Sequence, residues 1–152
     1  MSKAVALTLL ATIVVSPALA MNDMDCQALW QQADKNLDGV LTDGEAGRFL
    51  AMMQVRGVAA PADQRLPKAL FMDECRGDVF KAALIEPGAP FRGANSFTES
   101  QAQDRAIAAG YTAVSAFTKD PDGIWRGSGT VEGRSVNLAV DYKGNVVAER
   151  AP

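Results

Sequence analysis

Apolar residues recur at helical spacing in the first half of the chain and at alternating spacing in the second. Cys26, Leu29, Trp30 and Ala33 form one stripe, the signature of a helix that buries a single face. Ala46, Phe49, Leu50 and Met53 form another, with Gly57 placed to end the helix. Leu70, Phe71, Cys75, Val79 and Phe80 predict a third helical piece from about Pro67 to Phe80. Residues 86–96, rich in proline and glycine, break the pattern and read as a linker. The linker separates a helical unit, residues 22–85, from a mixed unit, residues 97–150.

The second unit opens on a helix start. Thr98 and Gln101 have capping-box spacing, and Phe97 stands where a hydrophobic staple would. That helix should run to Ala109, with Gly110 as its C-terminal cap. Tyr111–Lys119, Ile124–Val131, Ser135–Tyr142 and Val146–Glu149 follow, separated by Asp120-Pro121-Asp122-Gly123, Glu132-Gly133 and Lys143-Gly144-Asn145. Val136, Leu138, Val140 and Tyr142 alternate with polar or small residues, so their strand should bury one face. Short turns between neighbouring strands force an antiparallel meander. The fold class expected is α+β: an all-α helix-loop-helix unit followed by one helix on a small antiparallel sheet.

Residues 1–20 stand apart from both units. Lys3 gives a positive start, Ala4–Val15 is an apolar run, and Ala18-Leu19-Ala20 is a small-x-small cleavage site. The run is shorter than the roughly 20 residues a membrane-spanning helix needs. A cleaved export signal is therefore expected, the alternative being an uncleaved N-terminal anchor. The mature chain would begin near Met21, carry no further membrane span, and be periplasmic or secreted.

Composition narrows the chemistry. Lys and Arg number 15 against 18 Asp and Glu, a net charge of −3, and no basic run occurs, which argues against a nucleic-acid surface. Histidine is absent, removing the usual general base and the commonest transition-metal ligand. Cys26 and Cys75 are the only cysteines, and in an oxidising compartment an isolated pair reads first as a disulfide. Two separate buried thiols are the alternative.

One segment carries specific chemistry. Asp34-Lys35-Asn36-Leu37-Asp38-Gly39-Val40-Leu41-Thr42-Asp43-Gly44-Glu45 matches the twelve-residue calcium loop of an EF-hand at every liganding position. Asp34, Asn36 and Asp38 supply side-chain oxygens at alternating positions, and Gly39 permits the sharp bend. Val40 would act through its backbone carbonyl and Thr42 through a water molecule. Glu45 would close the site with both carboxylate oxygens, and Leu41 would point into the core. Oxygen-only ligation with a bidentate glutamate suits calcium better than magnesium. The bland reading is an acidic turn between two helices. Residues 59–70 could form a partner loop, with Leu66 matching Leu41, but they lack the first acid, the central glycine and the closing glutamate. One ion is expected, not two.

Residues 24–80 resemble the small EF-hand modules of bacterial secreted proteins. Residues 97–150 resemble the PepSY-like domains of bacterial exported proteins through Ser96-Phe97-Thr98-Glu99, Gly110-Tyr111, Gly123-Ile124-Trp125-Arg126-Gly127 and Val140-Asp141-Tyr142-Lys143-Gly144-Asn145-Val146. The second resemblance implies a non-catalytic binding or peptidase-inhibiting module and carries over no active-site residue. Trp125 and Arg126 are candidates for a partner patch, weighed against Trp125 as a core aromatic. Tyr111, Phe117 and Tyr142 read as core, and Asp120, Asp122 and Asp141 as turn aspartates. The expected function is an exported calcium-binding protein, not an enzyme, whose second unit binds an envelope protein or peptide. An envelope peptidase inhibitor is the alternative. Carboxylate-only catalysis ranks last, because no nucleophile sits in a recognisable motif.

Overall fold

Asn22 turns the chain into its first helix by accepting the N–H of Asp25 on its side-chain oxygen at 2.9 Å. The computed structural model describes residues 20–149; the expected export signal, residues 1–20, lies outside them except for Ala20. Helix α1 runs Asp23–Ala33, strand β1 is Val40–Leu41, and helix α2 is Asp43–Val55. Strand β2, Leu66–Pro67, leads into helix α3, Lys68–Arg76. The apolar stripes of all three helices meet. Cys26, Trp30, Ala46, Phe49, Met53, Phe71, Cys75 and Phe80 are buried in one cluster, and Phe71 is its hub. The Phe71 ring lies 5.1 Å from Trp30, 4.9 Å from Phe49 and 4.8 Å from Phe80. Such ring pairs each add about 1 kcal/mol beyond their area.

Cys26 and Cys75 are disulfide-bonded and join α1 to α3. A closed loop of this span limits the unfolded chain by about 4 kcal/mol in the chain-entropy account. The third helix stops earlier than its apolar spacing predicts, at Arg76. Gly77 caps it and Asp78 takes a left-handed φ of 61°. Val79 and Phe80 nevertheless stay buried, because the turn returns them to the cluster.

In the second half, Thr98 and Gln101 form the expected reciprocal capping box at the start of helix α4, Glu99–Ala108. Strands β3 (Thr118–Lys119), β4 (Trp125–Val131), β5 (Arg134–Val140) and β6 (Val146–Glu149) form one antiparallel sheet in sequence order. Among the described residues there are thus four helices and two antiparallel sheets, a mixed α and β fold. Ala102, Ala106, Phe117, Leu138, Val140 and Val146 make the second core. The sheet needs a bare backbone at Gly127, where a Cβ would stand 2.6 Å from the Phe117 ring.

Two expectations need correction here. Of Tyr111–Lys119 only Thr118–Lys119 is a strand, with a single bridge from Thr112 to Thr130; the left-handed φ of 46° at Ala113 breaks the extended run. Tyr142 is not core: it is 40% exposed, because β5 ends at Val140 and the next residue, Asp141, turns inward instead.

The two halves touch. Helix α2 packs against α4, and the Pro- and Gly-rich segment between the halves is fastened to the last hairpin. The N–H of Glu86 donates to Asn145 Oδ1 at 3.1 Å, and that of Phe91 to Asp141 Oδ2 at 3.0 Å. Gly93 N–H donates to the Asp122 carbonyl at 3.0 Å. Phe71→Ala should lower the free energy of unfolding by about 3–5 kcal/mol, and replacing both cysteines by serine by about 2–4 kcal/mol. Urea titrations of the purified variants measure both.

Candidate metal centre

The twelve-residue segment Asp34–Glu45 leaves α1 and enters α2, so helices fix both of its ends. Asp34 is the C-cap of α1, its N–H bonded to the Trp30 carbonyl at 2.9 Å. Its middle is fixed by apolar burial. Leu41 is fully buried and pairs with Leu66, also fully buried, across the β1–β2 ladder. The expected Leu41–Leu66 match is therefore present, and Gly39 adds a further tie by accepting the Lys68 N–H on its carbonyl at 3.3 Å.

Side-chain oxygens curl the loop. Asp34 Oδ2 accepts the Gly39 N–H at 3.3 Å, Asn36 Oδ1 the Asp38 N–H at 3.0 Å, and Asp38 Oδ1 the Val40 N–H at 2.9 Å. The last two are Asx turns, two residues apart, which aspartate and asparagine form readily. Gly39 takes a φ of 81°, and Leu37, 81% exposed, is held at 60°. Glu45 reaches back from the first turn of α2: its Oε1 accepts the N–H groups of Lys35 at 3.0 Å and Asn36 at 3.4 Å. Thr42 is the N-cap of α2 and its hydroxyl makes no cap bond.

Two oxygens are left over. Asp34 Oδ1 and Glu45 Oε2 are both buried and have no hydrogen-bond partner. A buried carboxylate oxygen without a donor carries a penalty of about 1–3 kcal/mol or more. The acids of the loop are not drawn together, however. Asp38 Oδ2 is taken by the Asn36 side-chain amide at 3.1 Å, and among the described residues no group of three or more His, Cys, Asp or Glu is placed to hold a metal ion. Like charges separate and take N–H donors where these are in reach.

Asp141 shows how an acid is buried without such a deficit. It is fully buried, and its Oδ1 accepts the N–H groups of Lys143 at 2.9 Å and Asn145 at 3.0 Å. Its Oδ2 accepts the Phe91 N–H at 3.0 Å and the Asn145 side-chain amide at 2.8 Å. Burial alone would raise its pKa, but these four donors outweigh it and hold the carboxyl below the usual aspartate value. Arg105 adds a favourable charge nearby. Asp141 is thus more than a turn aspartate: it ties residues 86–93 to the hairpin. The Asp141–Asn145 spacing showed the turn, and nothing local to it showed Phe91.

The remaining candidates make contacts within the second half. Trp125 is half-buried, donates Nε1–H to the Phe97 carbonyl at 3.1 Å, and carries Lys119 Nζ 4.7 Å above its ring. Arg126 is occupied by Asp120 at 2.7 Å and Glu149 at 2.6 Å. Asp120 also organises its turn by accepting the N–H groups of Asp122 and Ile124. Among the described residues no helix is long and apolar enough to cross a membrane. No family model, curated protein or solved structure matches the chain.

Asp141→Asn should destabilise the protein by about 1–3 kcal/mol at neutral pH, since an amide cannot accept all four donors. The folded-state pKa is lowered, so the charged form's contribution is full above the ordinary value of about 3.9 and is lost as pH falls through the folded value below it. The gap between wild type and Asp141→Asn in urea titrations should therefore narrow as the pH is taken below that range.

Proposed function

We propose that the protein is an exported, non-enzymatic calcium-binding protein of the EF-hand type, and that the loop Asp34–Glu45 holds one ion. The observation that carries this reading is the pair of buried, unpartnered carboxylate oxygens, Asp34 Oδ1 and Glu45 Oε2, at the two ends of one curled loop. A divalent cation supplies to both what no N–H supplies. Asp34, Asn36 and Asp38 provide side-chain oxygens, Val40 its carbonyl, Thr42 a water-mediated contact, and Glu45 the closing carboxylate. Asp38 must exchange its bond to the Asn36 amide for the ion, and both of those side chains are exposed. The Leu41–Leu66 pairing supports a single-ion site backed by a degenerate partner loop at residues 59–70. Calcium fits better than magnesium because the set is all oxygen and irregular.

The second half is read as a PepSY-like binding module for an envelope protein or peptide. The Cys26–Cys75 disulfide supports an oxidising compartment for the whole chain.

Calorimetry on the chain from Met21 should show saturable heat with calcium and much weaker heat with magnesium. Calcium at a hundredfold excess over Kd should stabilise the fold by about 2.7 kcal/mol. Trp30, packed on Phe71 beside the loop, should report the titration by fluorescence. Asp34→Ala and Glu45→Gln should each abolish the heat while leaving the chain folded. No heat at millimolar calcium would overturn the reading.

A further inference from the structure

Met21 is where the N-terminal core begins. Its side chain packs against the cluster that holds Cys26, Phe71 and Cys75, whereas Ala20 is exposed. Its backbone N–H donates to Asp78 Oδ1 at 2.8 Å, across 57 residues. Both ends of this bond are fixed independently. Met21 directly precedes the Asn22 cap of α1. Asp78 follows the end of α3 three residues after Cys75, and its N–H is bonded to the Cys75 carbonyl at 3.0 Å. The Cys26–Cys75 disulfide then joins the two helices that present the partners.

The backbone at Asp78 restricts which residues fit there. It holds a φ of 61°, a left-handed conformation that glycine adopts at far less cost. The glycine next to it, Gly77, has an ordinary φ of −78°. Aspartate is one of the few residues besides glycine and asparagine that adopt this conformation readily, and here its carboxylate is aimed at Met21. Its Oδ2 lies 3.9 Å from Lys81 Nζ, on its own turn, and its Oδ1 faces Met21. The small-x-small run Ala18-Leu19-Ala20 ends at the residue before Met21.

We propose that the chain is cut between Ala20 and Met21, and that Asp78 is the receiving group for the amino terminus the cut creates. The reaction is a peptide hydrolysis by an endopeptidase that selects small residues. Water adds its oxygen to the Ala20 carbonyl carbon, the C–N bond breaks, and the nitrogen leaves as the Met21 amine. Ala20 departs as a carboxylate, and the amine takes up a proton at neutral pH to become an ammonium. In the uncut chain Asp78 accepts the neutral Met21 N–H beside the Lys81 ammonium; after the cut it faces a second cation. Charge-assisted bonds of this kind are shorter and about twice as strong as neutral ones. The cut thus strengthens the contact that closes α1 onto the end of α3. A cut one residue later would remove Met21 and the contact with it. Asp78 is accordingly a positioning residue for the mature terminus, not a metal ligand or a catalyst.

The test begins with the full chain carrying its own leader, exported and recovered. Its intact mass should correspond to a first residue of Met21. Asp78→Asn is then compared with wild type in two forms, with the Met21 amine free and with it acetylated, all in chelator so that cation binding does not enter. Asparagine tolerates the left-handed backbone and keeps an oxygen acceptor, so it removes only the charge. With the amine free, Asp78→Asn should lower Tm by about 2–4 °C. With the amine acetylated the same substitution should change Tm by less than half as much. A mature mass beginning at any other residue, or equal shifts in the two forms, would overturn the proposal.

Discussion

Leu41 and Leu66 face each other across a ladder only two residues long, and both are fully buried. The geometry of the acidic loop depends on that contact. Apolar burial fixes the middle of Asp34–Glu45 from behind, while α1 and α2 fix its ends. The side-chain oxygens of Asp34, Asn36 and Asp38 are then left to organise the polar front. The division of labour is physical: the hydrophobic effect is non-directional and holds the frame, while hydrogen bonds are directional and set the curl. Phe71 and the Cys26–Cys75 bond extend the same frame to α3.

Two acidic environments in one small protein illustrate what burial demands of a carboxylate. Asp141 meets its demand entirely from within the chain, with four N–H donors on two oxygens. Asp34 and Glu45 meet half of theirs, one oxygen each bonded to loop amides and one each unmatched. The first arrangement makes a rigid structural joint. The second leaves a local deficit of negative charge compensation, and it is this deficit, more than the motif, that favours a cation ligand in the proposed function.

Much of the architecture was legible along the chain because its determinants are local. The stripes Cys26-Leu29-Trp30-Ala33 and Ala46-Phe49-Leu50-Met53, the Thr98–Gln101 capping box and the short turns of the meander all act over a few residues. The candidate loop was legible for the same reason, being one contiguous segment. What escaped local reading was set by distant partners. Helix α3 ends at Arg76 because the chain must turn back to bury Val79 and Phe80. Tyr142 lies outside the core because Asp141 is drawn inward by Phe91, some fifty residues upstream. The Pro- and Gly-rich segment 86–96 looked like a spacer, yet its amides are claimed by Asn145, Asp141 and Asp122. Within the loop itself, residue types showed which atoms were available but not that Asp38 would turn to Asn36.

The fastening of residues 86–93 to the last hairpin has a consequence for the order of folding. Glu86 and Phe91 emerge early, but their acceptors, Asn145 and Asp141, lie 59 and 50 residues further on. Contacts of such long sequence separation form late, since loop closure must precede any gain from them. All the buried members of the disulfide-linked helical core lie between Cys26 and Phe80, and from the second half only Ala108 of α4 is packed against it. Vectorial delivery of the chain from its amino terminus would therefore complete that half first. Its tether to the sheet would remain undocked until Asp141 and Asn145 arrived.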